Sequence, residues 1–167
     1  MRRLFIAVIL FLLVGVFIFF WNNQKDDQIS EDVLSVSFAL NEGRNTTLKE
    51  LVSEKNQPLV VNFWATWCAP CLEELPMFES VHNRIGHEVT FLGVNVSDSP
   101  TKANELIADA GISYQMGRDP EGNFLVGLGI VGLPATVFID SEGTIVDVHM
   151  GQISDADLDK KISWVHK

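Results

Sequence analysis

The chain has 167 residues, 47% of them apolar, and a formal net charge of −10. That length suits one domain around a single core, and the acidic balance excludes nucleic-acid binding as a leading function because phosphate backbones repel it. Two cysteines exclude a disulfide-rich scaffold and a four-cysteine zinc site.

Residues 4–21 read LFIAVILFLLVGVFIFFW, without a charged side chain. Eighteen helical residues at about 1.5 Å each give roughly 27 Å, close to the hydrocarbon thickness of a bilayer. Arg2 and Arg3 precede the run, and Asn22 to Asp27 follow it with Lys25 as the one positive charge. The basic flank stays cytoplasmic, so the remainder faces outward. Phe19-Phe20-Trp21-Asn22-Asn23 offers no small-residue cleavage site, which favours an uncleaved anchor over a signal peptide. The expected organisation is a transmembrane signal anchor over 1–21, a polar linker over 22–32 and a globular domain over 33–167. The domain then belongs in the periplasm or at the cell exterior.

Val33, Val36, Phe38 and Leu40 suggest an irregular strand, and Asn41 to Arg44 a turn. Thr46 or Thr47 caps a short helix over Leu48 to Ser53. After Pro58, LVVNFWA is a continuous apolar run, as in a strand buried on both faces. Cys68 to Ile85 carries Leu75, Phe78, Val81 and Ile85 at helical spacing. Val89 to Val96 is a second buried strand. Ser99 and Pro100 open a helix that Gly111 ends. Ile112 to Met116 is expected as a short strand, Arg118 to Asn123 as a turn, and Phe124 to Leu128 as one or two helical turns. Ala135 to Ile139 and Thr144 to Met150 form a hairpin across Asp140-Ser-Glu-Gly. Ser154 caps a last helix with Leu158, Ile162 and Val165 on its apolar face. Alternation followed by a hairpin implies an α/β fold with a mixed sheet flanked by helices. Phe63, Phe91, Phe124 and Phe138 read as core, Trp164 as a packing anchor and His82 as an edge residue. The Gly127–Gly132 segment lacks the lysine and hydroxyl residue of a phosphate loop.

The chemistry lies in Trp67-Cys68-Ala69-Pro70-Cys71. A C-x-x-C after a buried strand, at a helix start, suits thiol–disulfide exchange. Free N–H groups and the positive dipole end stabilise a Cys68 thiolate. Cys71 lies about one turn on, within reach to resolve a mixed disulfide, and Pro70 holds the backbone near helical dihedrals. Half a zinc site, a structural disulfide and a copper carrier are weaker readings. His82, His87, His149 and His166 lie at no ligand spacing. The peroxidatic pattern P-x-x-x-T-x-x-C is unmatched, with Thr66 one place off.

VNFWATWCAPC and GLPATVFID resemble the thioredoxin superfamily, and more narrowly its membrane-anchored TlpA/ResA/CcmG-like thiol–disulfide oxidoreductases. The resemblance covers roughly residues 35–165. It implies a thioredoxin-like fold with a short N-terminal extension and a helix-strand unit inserted at about 99–120. It implies Cys68 as the attacking thiol and Cys71 as the resolving one. Pro134 corresponds to a cis-proline beside the sulfurs, leaving the Leu133 backbone free to pair with a substrate strand; Trp67 corresponds to the aromatic before the motif and Pro76 to the kinking proline. Asn62 stands where ordinary thioredoxins carry a buried aspartate, and asparagine cannot titrate. Glu74, one turn after Cys71 on the same helix face, is the substitute base. Glu73 and Glu74 also read as first-turn acids favoured by the helix dipole. No metal or organic cofactor is implied. The implied partners are protein disulfides, such as apocytochrome c before haem attachment, and a membrane thiol transporter as electron donor. A thiol oxidase and a redox-linked copper carrier are the rival functions.

Overall fold

The computed structural model describes residues 14–16 and 33–166. The chain divides into two compact units, Met1–Asp32 and Val33–Lys167. In the first, Val14 to Val16 are helical and exposed; the rest of the expected anchor and the linker lie outside the described residues. Among the described residues no helix is long and apolar enough to cross a membrane.

The second unit begins with a correction. Val33 and Leu34 are helical rather than extended, and both side chains are buried in the core. The first strand, β1, is confined to Phe38–Leu40, and β2 is the short Asn45–Thr46 paired antiparallel to it. Helix α1 spans Leu48–Lys55 and buries Leu48, Leu51 and Val52. Its N-terminus is a full capping box: the Thr47 hydroxyl accepts the Glu50 N–H, and the Glu50 carboxylate accepts the Thr47 N–H, both at 3.0 Å. Asn56 ends it in the left-handed conformation.

Strand β3, Leu59–Trp64, is buried at every position, as its apolar run predicts, and the burial takes in the one polar residue within it, Asn62. Helix α2 spans Ala69–Ile85, and β4 spans Thr90–Val96 parallel to β3. Helix α3, Pro100–Asp109, leads to β5. This strand runs Gln115–Asp119, three residues later than the Ile112–Met116 expectation, and it takes in Arg118 and Asp119, which the sequence suggests as a turn. Pairing overrides the local signal. Leu92 to Val96 draw β5 into a parallel ladder from one side, and Ala39 and Leu40 pair it from the other. Buried Asp119 then accepts the Leu125 N–H at 2.9 Å, in the short helix α4, Asn123–Gly127. Strands β6, Ala135–Ile139, and β7, Ile145–Met150, form the hairpin, closed by Asp140 accepting the N–H groups of Glu142 and Thr144. Helix α5, Asp155–Val165, is capped by the Ser154 hydroxyl.

The sheet order is β2-β1-β5-β4-β3-β6-β7, with β3, β4 and β5 parallel and the others antiparallel. Alternation along β3 divides the core in two. Leu59, Val61 and Phe63 pack with α1 and α4; Val60 and Trp64 pack with α2, α3 and α5. This is a thioredoxin-like α/β fold, with α3 and β5 as the inserted unit. Phe63, Phe91, Phe124 and Phe138 are all core. Trp164 lies under Lys161 at 5.0 Å, and His82 packs edge-on against Phe91 and Tyr114.

Candidate active site

The site is built where β3 leaves the sheet. After Trp64 the chain turns through Ala65, Thr66 and Trp67, and the Cys68 N–H closes that turn on the Ala65 carbonyl at 3.1 Å. Cys68 is the N-cap of α2, in an extended conformation, and its carbonyl accepts the Leu72 N–H at 3.2 Å. Pro70 sits in the first turn, where a missing N–H costs no helical bond. Pro76 lies inside α2 and withdraws one N–H from its ladder. Cys68 and Cys71 are joined by a disulfide, their Cα atoms 5.3 Å apart. Cys68 is 6% exposed and Cys71 is fully buried, so the first cysteine is the one that meets solvent. Trp67, by contrast, is 63% exposed, and its indole N–H donates to the Ser97 carbonyl at 3.3 Å.

The bond between Leu133 and Pro134 is cis. Ala135 pairs with Phe63, so the two residues before it lie beside Trp64 and Ala65, at the sheet end from which Cys68 emerges. Half-buried Leu133 packs against the apolar cluster that contains both cysteines. The Pro134 carbonyl is fixed by the Gly151 N–H at 2.9 Å.

Glu74 faces inward from α2 and is only 2% exposed. Its Oε1 accepts the Asn62 side-chain N–H at 2.9 Å, and its Oε2 accepts the Ile153 N–H at 3.1 Å. Burial holds its carboxyl above the usual carboxylate range, partly offset by those two hydrogen bonds and by the charge of His149. The first-turn reading of Glu73 and Glu74 is corrected: the first turn of α2 holds no acid, since both residues fall beyond it. Glu73 is exposed and accepts the Gln152 side-chain N–H at 3.2 Å. Asn62 Oδ1 and Thr136 Oγ1 are buried without partners among the described residues. These two residues are opposite each other in the β3–β6 ladder, so a small polar patch lies around Glu74 in an otherwise apolar layer.

Residue spacing pointed to Cys68, Cys71 and Glu74. It missed Ile153, which arrives from a loop 79 positions away, and it missed the Asn62 bond to Glu74. It also missed Asp98, whose carboxylate binds the turn before Cys68. No one-dimensional signal ties Asp98 to Thr66; only the parallel β3–β4 register brings their strand ends together. Among the described residues no group of three or more His, Cys, Asp or Glu is placed to hold a metal ion.

Residues 29–148, well over half of the chain, match the AhpC/TSA family. The chain belongs to that family. It is 35% identical to the thiol:disulfide interchange protein DsbE of Pseudomonas fluorescens over 60% of this chain, but over only 56% of that protein's own length. It is 32% identical to a protein of the same name from Vibrio cholerae, over 92% of this chain and 87% of that one. Among solved structures it is similar to DsbF of Mycobacterium tuberculosis, at 27% identity and a TM-score of 0.72, covering 80% of this chain and 96% of that one. The thioredoxin-like fold of this family member is therefore shared across nearly the whole of the second unit.

Proposed function

We propose that this family member is a membrane-tethered thiol–disulfide oxidoreductase whose domain works outside the cytoplasmic membrane. Its reduced form attacks a disulfide in an exported protein. The Cys68 thiolate bonds to one client sulfur, and the other leaves as a thiolate. Cys71 then passes its proton to Glu74 and attacks Cys68 Sγ. The second client sulfur leaves Cys68 Sγ as a thiolate, the two client thiolates take up one proton returned by Glu74 and one from solvent, and the pair closes to the observed disulfide with two electrons transferred. Trp67, Leu133 and Pro134 frame the client strand, with the Leu133 backbone free for pairing. A membrane thiol transporter restores the dithiol. The resemblance to the TlpA/ResA/CcmG-like branch favours apocytochrome c as client and reduction as the direction.

The observation that supports this reading is the C-x-x-C disulfide at the N-terminus of α2, with a buried, hydrogen-bonded Glu74 on the same helix. Its direction is tested by the reduction potential in a glutathione titration. A value below about −220 mV fits a reductant, and one near about −120 mV replaces it with an oxidase.

A further inference from the structure

Asp98, in the loop between β4 and α3, receives four donors. Its Oδ2 accepts the Thr66 N–H at 2.6 Å and the Asn95 side-chain N–H at 3.0 Å. Its Oδ1 accepts the Thr66 hydroxyl at 2.8 Å and the Ser99 N–H at 2.7 Å. An ionised carboxylate has about four acceptor positions, so all are used within the molecule. The neighbouring Ser97 adopts a left-handed φ of 48°, unusual without glycine, and its carbonyl takes the Trp67 indole N–H. Thr66 and Trp67 are the two residues immediately before Cys68. The loop that opens the inserted helix-strand unit thus holds the approach to the first cysteine from across the sheet end.

We propose that Asp98 is a positioning residue for the attack by Cys68. It clamps the Thr66–Trp67 turn so that the sulfur stays at the N-cap of α2, facing the free N–H groups that stabilise its thiolate. The inserted unit thereby serves the exchange as well as extending the sheet. Asparagine is a poor replacement, because its NH2 group would face two of the four donors. The inference rests on Cys68 being the attacking thiol.

The test separates the two chemical steps in the reduced full-length chain. Attack is followed by mass spectrometry as the mixed disulfide forms with oxidised glutathione. Resolution is followed from a preformed Cys68–glutathione adduct. Thr66→Val keeps shape and charge but removes one donor, and it reports even where Asp98→Asn does not fold. Thr66→Val should slow attack by roughly 3–10-fold and Asp98→Asn by at least as much, a modest share of what a 1 Å misplacement costs. Thr66→Ser should restore the rate to within about twofold, resolution should hold within about twofold throughout, and Thr66→Val should raise the pH midpoint of Cys68 alkylation. Attack unchanged in Thr66→Val and Asp98→Asn, or slowed in parallel with resolution, overturns the clamp alone. A wild type in which Cys71 is alkylated faster than Cys68 overturns the order of attack, and the clamp with it.

Discussion

Glu74→Gln should slow resolution of a Cys68 mixed disulfide and leave the first attack nearly untouched. The substitution fits its place. The introduced carboxamide oxygen can accept the Ile153 N–H, and its NH2 group can donate to Asn62 Oδ1, which is buried and unpartnered among the described residues, once that amide turns over. The kinetic cost comes from Cys71. An ordinary thiol near 8.5 is about 3% thiolate at pH 7, and each unit of increase from burial removes about another factor of ten. Cys71 is fully buried, so without a proton acceptor its reactive form is scarce. Losing the negative charge of Glu74 gives some of this back, because like charges in one site oppose each other. The net expectation is about a 10–100-fold slowing at pH 7, at or below the low end for removing a general base. The assay is single-turnover release of glutathione from the preformed adduct, between pH 5 and 9. In the variant the rate should rise about tenfold per pH unit below the Cys71 pKa. In the wild type it should be flatter, because thiol and carboxyl titrate as a pair. Superimposable profiles would refute the reasoning and leave Glu74 as a buried structural acid.

The depressed Asp98 carboxyl makes a second, pH-linked expectation. Burial works to raise it, but hydrogen bonds from Asn95, Thr66 and Ser99 hold it below the usual carboxylate range. Its stabilisation is therefore present above about pH 3.9, the unfolded value, and is lost as pH falls through the lower folded value. Asp98→Asn should cost about 1–3 kcal/mol at pH 7, with a gap in urea midpoint that narrows toward pH 3; a gap independent of pH contradicts it. Glu74 carries the opposite sign. Its raised pKa favours the protonated folded state, so wild type should lose stability relative to Glu74→Gln as pH rises through that value, read from urea midpoints at pH 5 and 8. Thr47→Ala removes one arm of the capping box and should lower stability by about 1 kcal/mol, about 2–4 °C in Tm by calorimetry. The full chain should sediment with membranes and be cut by protease only from outside. A mature N-terminus near Asn22 would instead mark a cleaved, soluble exported protein.

The parts of the fold legible in sequence are those where local pattern and tertiary demand agree. The largely apolar runs of β3 and β4, the helical spacing of α2 and the Asp140 turn all specify their own elements. Val33 and β5 went differently because their partners decide them. Val33 is buried, and an apolar side chain suits a buried site in a helix or a strand alike, so its apolar character does not choose between the two. Arg118 and Asp119 read as turn residues until the β4 and β1 ladders claim them. The same division holds at the site. Cys68, Cys71 and Glu74 share one helix, so their spacing is geometry. Asn62, Ile153 and Asp98 reach it through strand register and loop closure, which no local window contains.

In the proposed mechanism exchange is led by Cys68 and completed by Cys71. Its most direct test is incubation of reduced Cys71→Ala and Cys68→Ala variants with a disulfide-bonded peptide, followed by mass spectrometry. A stable adduct should form on Cys68 in the first variant, with little or none in the second. An adduct that accumulates equally on Cys71 in the second variant, or no adduct in either, would contradict it.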